Sequence, residues 1–407
     1  MNTRPPTAKP ESLLATVRSF PRPVWVLFGG VFLNKFGTFV LPFLAIYLTR
    51  RGFTQADAGI ALGCYGLGRI AAAFLGGQLA DTLGRRNTIV LSMVLTAVTM
   101  MALAHADSLV AIALLTALAS LTGEMYVPAC TALLTDLTSP AQRVTVFSTY
   151  RMSFNAGWAF GPAVAAFLAK HSFTWLFIGD AVTSLLFAVI AWKWLPRGGN
   201  GTREASWGEA VATLVVDQAF VRVAGATLFI GICIHQMVSS YGVHVGALGF
   251  SDTTYGLLLS LNGVLVLCCE LPLTRVTSRL PAQAMMALGY VLIGCGLMTN
   301  LFARSLPELV LGMTLFTFGE MTFAPVASAH VSKLARANMR GRYMGGWAVF
   351  NSLSMFIAPN LGMRLHNVNP NTLWTFCGIC SVIAAWIILS TPRVAKSVGS
   401  PDGERAG

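Results

Sequence analysis

The chain has 407 residues, of which 55% are hydrophobic and only 11% are charged. Soluble globular proteins carry about 25% charged residues, so this composition excludes a water-soluble fold and indicates an integral membrane protein. A net charge of +12 would suggest nucleic-acid binding in a soluble protein. Here most of the 28 lysines and arginines fall in tails and loops of one predicted side, which is the positive-inside pattern of membrane proteins.

Apolar runs bounded by charged residues, Pro or Gly predict twelve transmembrane helices. About 20 apolar residues cross a bilayer, and lipid offers no partner to unpaired backbone groups, so each span must be a helix. Twelve spans place both termini in the cytoplasm, and the first run is too long for the apolar part of a cleaved signal peptide. In chain order the runs cover residues 24–49, 57–79, 87–104, 108–135, 144–168, 173–195, 219–246, 254–273, 282–303, 307–332, 343–365 and 372–391.

An internal repeat divides the chain into two halves. The run GEMYVPACTALLTDL from Gly123 aligns, after a one-residue insertion, with GEMTFAPVASAHVSKL from Gly319. Parallel repeats of this kind are typical of secondary transporters. We therefore predict an all-α membrane protein with two pseudo-symmetric six-helix bundles. Its predicted parts are a cytoplasmic tail (1–21), a first bundle (22–196), a cytoplasmic linker (197–217), a second bundle (218–393) and a cytoplasmic tail (394–407).

The loop between the second and third predicted spans carries a motif, GQLADTLGRR. Gly77 would let another helix approach closely, Gly84 would allow a tight turn, and Asp81 would pair with basic groups near a helix N-terminus. With Arg85 and Arg86, the loop resembles the G-x-L-a-D-r-x-G-r-k signature of the major facilitator superfamily. The resemblance implies two helical bundles that rock around a central site.

The fifth predicted span contains Gly157, Gly161 and Pro162. Two small residues four positions apart let helices pack closely, and a proline inside a helix removes one hydrogen bond. The run resembles the G-x-x-x-G-P motif of antiporters in the same superfamily. This resemblance favours export over uptake.

Ionisable residues at membrane depth cost on the order of 3 kcal/mol, so they normally face a cavity or a partner. A carboxyl group buried away from countercharge can bind and release a proton near neutral pH. We expect Glu124 and Glu320, which occupy matching places in the repeat, to carry protons; multidrug and proton antiporters of the resembled type use acidic residues in these two spans. Asp180 and His235 are further candidates for proton coupling.

The alternative is that each glutamate is a structural partner of Lys35, Arg69 or a neighbouring hydroxyl group. The buried cations Lys35, Arg69 and Arg151 would then form ion pairs that hold helices in register. The pairs that we expect are Arg69 and Arg151 with Asp81, Asp136 or Glu124, and Glu270 with Arg275 across a turn.

Aromatic and amide side chains on the spans that line the central cavity in this superfamily predict an amphipathic pocket. Aromatic faces suit bulky apolar or cationic ligands. The predicted lining residues are Asn34, Phe36, Tyr65, Tyr126, Trp158, Gln236, Tyr241, Asn262, Phe323 and Asn351.

Enzyme and pump motifs are missing from the sequence. No histidine is followed by Glu, and Lys396, the only lysine before a Ser or Thr, follows Ala rather than Gly, so neither a metalloprotease motif nor a phosphate-binding loop is present. Cys377 and Cys380 lie inside an apolar run and are expected to behave as small hydrophobic residues. We expect no catalytic residue, no metal and no cofactor.

The sequence thus predicts a secondary active transporter of the bacterial-type inner membrane. Its predicted function is proton-coupled efflux of small amphipathic organic compounds or drugs by alternating access. The predicted partners are this small organic substrate, protons and membrane lipid, with no nucleic acid, and the protein is expected to be a monomer. A proton-coupled uptake symporter or facilitator is the alternative in the same fold, and a membrane-embedded receptor or scaffold is an alternative of another class.

Overall fold

The computed structural model describes residues 13–197, 213–335 and 339–391, and the regular elements in these ranges are all helices. The all-helical fold class is therefore confirmed. The predicted tails and linker fall mainly on residues 1–12, 198–212 and 392–407, which lie outside the described residues. In chain order the helices are α1 (Leu13–Arg18), α2 (Arg22–Phe36), α3 (Val40–Arg50), α4 (Gln55–Thr82), α5 (Arg85–Ala104), α6 (Leu109–Glu124), α7 (Tyr126–Leu137), α8 (Arg143–His171), α9 (Thr174–Trp194), α10 (Gln218–Ile234), α11 (Ser240–Ala247), α12 (Asp252–Thr277), α13 (Ala282–Met298), α14 (Leu306–Leu334), α15 (Arg340–Val368) and α16 (Pro370–Leu389).

Ten helical segments of the described chain are long and apolar enough to cross a membrane. Two further helices of 29 residues, α8 and α15, coincide with the fifth and eleventh predicted spans. Their share of polar and small residues lowers their mean hydropathy, yet both pack along apolar helices, α8 on α2 and α12, and α15 on α4 and α10. The total of twelve spans stays a prediction.

Three of the apolar segments are interrupted part of the way along. The interruptions lie between α2 and α3, between α6 and α7, and between α10 and α11, where the short 3₁₀ helix His235–Val238 intervenes. A helix end leaves backbone groups without intrahelical partners, and broken helices in transporters are positioned at the substrate site. We therefore expect a ligand site near the three interruptions, in the middle of the molecule.

Two sets of helices, α2–α9 and α10–α16, meet along the pairs α4 with α15 and α8 with α12. Close packing joins them at the end that carries the α3–α4 turn. A Cβ added at Gly59 would lie 2.6 Å from the carbonyl oxygen of Pro359, and Arg50 pairs with Asp252 across 2.8 Å. The two sets are thus held together at this end, while a cavity lies between them further along.

Candidate functional site

A cavity of about 360 Å³ lies between the two helix sets. Small-molecule sites commonly have volumes of about 300–1,000 Å³, so the space suits a small organic ligand. Four charged side chains line it, Lys35, Arg69, Glu124 and Glu320. Both glutamates singled out from the internal repeat therefore face one shared chamber.

Glu124 forms an ion pair with Lys35. The Lys35 Nζ lies 3.0 Å from Glu124 Oε1, and the two side chains are only 7% and 16% exposed. Each residue lies at or next to the C-terminal end of its helix, α2 or α6, beside an interruption of the span. The Lys35 ammonium group also lies 5.1 Å from the ring centre of Phe154, and Tyr65 lines the cavity near Glu124. The carboxylate of the first half is therefore neutralised by a basic partner.

The glycines of the fifth predicted span position this lysine. A Cβ at Gly157 would lie 2.6 Å from the carbonyl oxygen of Phe32 and 2.9 Å from the Cβ of Lys35, and one at Gly161 would lie 2.6 Å from the carbonyl oxygen of Phe36. Helix α8 therefore packs against α2 at the distance that only small residues permit, as the motif predicts. On its other side the carbonyl oxygen of Pro162 lies against Gly256 of α12.

Glu320 lies on the continuous helix α14 and has an amide partner instead of a cation. Its Oε2 accepts a hydrogen bond of 3.0 Å from Asn262 Nδ2, and the same amide group donates to Thr317 Oγ1 over 3.0 Å. Within the described residues, no basic side chain lies within 4 Å of the Glu320 carboxylate. The carboxylate of the second half is thus hydrogen-bonded and has no described basic group in ion-pair contact, while Arg151 of α8 lies within electrostatic range of it.

A second cavity of about 420 Å³ adjoins the first, and Glu320 lines both. Its wall also contains an ion pair between Arg151 of α8 and Glu270 of α12, and Glu270 accepts a hydrogen bond of 3.0 Å from Asn155 Nδ2. The expected pairs of Arg151 with Asp81, Asp136 or Glu124, and of Glu270 with Arg275, were wrong. Because α8 and α12 pack side by side, they bring residues from the two helix sets together instead.

Arg69 reaches across the cavity from α4 to α15. Its Nη1 lies 3.5 Å from Asn351 Oδ1 and 3.8 Å from Met355 Sδ. Among the described residues no carboxylate lies within 4 Å of it, so the expected ion pair was wrong for Arg69 too. It faces His235, whose Nδ1 hydrogen-bonds to the carbonyl oxygen of Gly231 over 2.8 Å. The imidazole ring therefore uses one nitrogen for its own backbone.

Asp180 lines neither cavity. It is 5% exposed, and its carboxylate lies near the backbone amides of Phe39 and Val40, at the N-terminal end of α3. A carboxylate at this place interacts favourably with the helix dipole. Asp180 therefore lies beside the start of α3 and away from both cavities, and its predicted role in proton coupling stays a prediction.

The GQLADTLGRR loop adopts the predicted turn at Gly84, whose φ of +85° favours glycine. A Cβ at Gly77 would meet no atom within 4 Å, whereas one at Gly76 would collide with the carbonyl oxygen of Met125. The expected close approach at Gly77 was therefore wrong, because the face that packs against α6 and α7 belongs to its neighbour. Asp81 is exposed and forms no ion pair with any described residue.

The two arginines of the loop bind within the first helix set. Arg85 forms an ion pair with Asp136 at the end of α7, and the guanidinium group of Arg86 lies 5.0 Å from the ring centre of Trp192 on α9. The loop therefore connects α5 with α7 and α9 at one end of the molecule.

Half of the predicted lining residues do line the 360 Å³ cavity: Tyr65, Trp158, Asn262, Phe323 and Asn351. The others pack between helices. Asn34 donates to Met93 Sδ over 3.5 Å, Phe36 stacks on Phe32, and Gln236 donates to the carbonyl oxygen of Ala358 over 3.0 Å. Tyr126 and Tyr241 are at most 1% exposed and pack against Phe187 and Trp374.

Several residues that line the cavity were not predicted, although some lie four positions from a predicted residue and therefore on the same helix face. Side chains four positions apart share one helix face, and this relation leads from Trp158 to Phe154, from Glu320 to Phe316 and Ala324, and from Asn351 to Trp347 and Met355. The other missed residues are Thr38, Leu41, Thr227, Ile230, Gly231, Ile234, Met237, Val238, Leu259 and Met313.

Curated relatives share about a quarter of their residues with this chain. The uncharacterized MFS-type transporter YqjV of Bacillus subtilis is 26% identical over 352 residues, covering 83% of this chain and 85% of the relative. A Na(+), Li(+), K(+)/H(+) antiporter of Planococcus maritimus is 26% identical over 374 residues, covering 82% and 87%. The multidrug resistance protein MdtH of Aeromonas hydrophila is 26% identical over 324 residues, covering 79% and 82%.

Solved transporter structures share the fold. A peptide transporter POT in complex with sulfate superposes with a TM-score of 0.76 at 17% identity, covering 93% of this chain and 98% of the other. A variant of the nucleoside transporter NupG gives 0.77 at 15% identity, covering 91% and 100%. At these identities the likeness concerns the fold alone. The model of the Major Facilitator Superfamily matches residues 27–250 and 228–406, and the chain therefore belongs to this superfamily of membrane transporters.

Proposed function

We propose that the protein exports small amphipathic organic compounds in exchange for protons. The observation that carries this proposal is Glu320, a carboxylate that has no basic partner among the described residues and lines both cavities between the helix sets. The names of two relatives, a multidrug resistance protein and a cation/proton antiporter, support the same reading.

The physical basis is the cost of an unpaired charge in a poorly hydrated place. A bound proton removes the negative charge of Glu320, whereas a basic group of the substrate neutralises that charge by forming an ion pair with it. Proton and substrate therefore compete for one carboxylate, and either one changes the relative stability of the conformations that it occupies. When neither is bound, the hydrogen bond from Asn262 orients the carboxylate towards the cavity.

The Lys35–Glu124 pair is proposed to have a different part. Because Lys35 and Glu124 neutralise each other, the pair keeps α2 and α6 in register. Glu124 can bind a proton only if this ion pair breaks. His235 forms a wall of the cavity, and Asp180 acts as a cap. The motif residues Gly157, Gly161 and Pro162 keep α8 close to both α2 and α12 while the helix sets move.

The conformation fits alternating access around a central site. The helix sets are joined at the end with Arg50 and Asp252, whereas the basic loop with Arg85 and Arg86 lies at the other end of α4. By the positive-inside rule we assign that basic end to the cytoplasm, which makes this a state closed towards the outside of an inner membrane. We propose that one copy of the chain suffices for the cycle.

The test is a flux measurement on everted membrane vesicles with an imposed proton gradient. A panel of lipophilic cations, zwitterions and anions, with Na⁺ and K⁺ as further arms, is screened for substrate-induced proton efflux. Glu320→Gln should abolish proton-driven export while thermal unfolding stays that of the wild type, since no ion pair is lost. Glu308→Gln is the matched control, because it makes the same change in the first turn of the same helix, away from both cavities.

Three results would contradict the proposal. Undiminished exchange in Glu320→Gln would remove this residue from the mechanism. Gradient-driven accumulation of the same compounds in whole cells would identify an uptake symporter. The absence of flux for every compound and ion would favour a receptor or scaffold.

A further inference from the structure

The charges that line the two cavities nearly all cancel in pairs. Lys35 pairs with Glu124, and Arg151 pairs with Glu270. Two charges then have no partner within 4 Å among the described residues, the cation of Arg69 and the anion of Glu320. They stand on different helix sets, on α4 and α14, and both face the 360 Å³ cavity.

The surroundings of Arg69 leave its guanidinium group available to a ligand. It has five N–H donors in a planar fork that matches the two oxygens of a carboxylate. The protein groups near it are a distant amide oxygen of Asn351 at 3.5 Å and a thioether of Met355 at 3.8 Å. Glu124 lies within electrostatic range, but its carboxylate is already bound to Lys35. One carboxylate among two cations leaves an excess positive charge on this side.

Much of the remaining lining of this cavity is aromatic and apolar. It contains Trp158, Trp347, Phe316, Phe323 and Met313. Such a lining favours a flat apolar body over a purely hydrophilic solute.

We propose that the substrate is an amphipathic zwitterion, with an acidic group bound by Arg69 and a basic group bound by Glu320. This inference rests on the proposed function. A purely cationic substrate would add positive charge beside an unmatched Arg69, and a purely anionic one would leave Glu320 uncompensated. A zwitterion balances both, and the proton that arrives at Glu320 releases the basic group.

A matched series of probes tests the proposal on the purified full-length protein. The zwitterion is 3-[4-(aminomethyl)phenyl]propanoate, its methyl ester is a cation, and its N-acetyl derivative is an anion. Binding is measured by isothermal titration calorimetry at pH 7.5. We expect the zwitterion to bind at least about tenfold more tightly than either derivative, since each derivative loses one charge-assisted hydrogen-bonded contact.

Variants separate the two ends of the ligand. Arg69→Gln should weaken the zwitterion and the anion by about tenfold or more and leave the ester unchanged or tighter, which also shows that the cavity is folded. Arg69→Lys should restore part of the affinity, since it keeps the charge without the fork. Arg275→Gln, at the exposed end of α12, is the control and should change nothing.

The proposal is overturned if the ester binds as tightly as the zwitterion, if Arg69→Gln leaves the zwitterion unaffected, or if none of the three compounds binds. Its failure differs from failure of the proposed function. If Arg69 discriminates the probes as expected but Glu320→Gln still couples protons in vesicles, the substrate class stands and the exchange mechanism falls. If proton coupling depends on Glu320 but the ester is the preferred ligand, the exchange mechanism stands and the zwitterionic substrate class falls.

Discussion

Glu124 and Glu320 occupy matching places in the internal repeat, yet their surroundings differ. Glu124 ends a helix and lies 3.0 Å from the ammonium group of Lys35, whereas Glu320 lies within a continuous helix and accepts a hydrogen bond from the neutral amide of Asn262. An opposite charge favours the ionised form of a carboxyl group far more than a neutral donor does. In the proposed mechanism the partner of each carboxylate, rather than its position in the repeat, therefore decides which one exchanges protons.

The second half lacks a lysine at its own interruption. There the chain places His235, whose Nδ1 is engaged with the carbonyl oxygen of Gly231 at 2.8 Å. Because the cations among the cavity residues, Lys35, Arg69 and Arg151, all come from the first half, the asymmetry of charge lies across the interface between the helix sets. Under the proposed function, a substrate bound there would contact a mainly cationic wall on one side and an anionic wall on the other.

Giving Glu320 a basic neighbour should make it resemble Glu124. In Asn262→Lys an ammonium group would replace an amide that lies 3.0 Å from the carboxylate, and a pair about 4 Å apart is stabilised by about 4 kcal/mol at an effective dielectric constant near 20. The carboxylate would then stay ionised, and proton-driven export from everted vesicles should fall by at least about 100-fold.

Asn262→Gln is the matched control for that substitution, because it keeps an amide donor on a side chain one methylene longer. It should retain most of the flux. Equal loss in both variants would mean that the shape of the site, rather than its charge, is what the lysine disturbs.

Removing the lysine should make Glu124 resemble Glu320, at a cost in stability. Lys35→Met leaves a carboxylate that is 16% exposed without its countercharge, and breaking a buried pair destabilises a protein by about 3 kcal/mol. The double variant Lys35→Met with Glu124→Gln should recover most of this loss. Denaturant unfolding in detergent measures both; a single variant as stable as the wild type would show that the pair contributes little.

The sequence predicts the long helices well where hydropathy changes sharply at charged residues. The run 57–79 lies inside α4, and the run 173–195 agrees with α9 within one residue at each end. The interruptions after Phe36 and Glu124 were not predicted, because the sequence stays apolar across both. At the first interruption, Asp180 from a helix far along the chain lies near the start of α3, and a local sequence pattern cannot indicate such a contact.

The cavity was only half predictable for a related reason. Hydropathy marks a polar residue inside a span but not the direction in which it points. Gln236 and Asn34 are polar and central, yet the first bonds to the backbone of α15 and the second to Met93. Ion pairs depend in addition on how neighbouring helices are shifted along their axes. Arg151 accordingly pairs with Glu270 on an adjacent helix of the other set rather than with a carboxylate nearer in sequence.

Asp180 is a further buried carboxylate, away from both cavities, and we expect its substitution to have the smallest effect. Asp180→Asn keeps an acceptor oxygen near the amides of Phe39 and Val40 and loses only the charge at the helix N-terminus, so we expect a destabilisation of about 1 kcal/mol. Asp180→Ala, which removes the acceptor as well, should cost about 2 kcal/mol. In vesicles both variants should export with the same proton dependence as the wild type, after correction for the amount of folded protein. A loss of coupling in Asp180→Asn with its stability intact would instead place this carboxylate among the proton carriers, and its position away from both cavities would not separate it from Glu320.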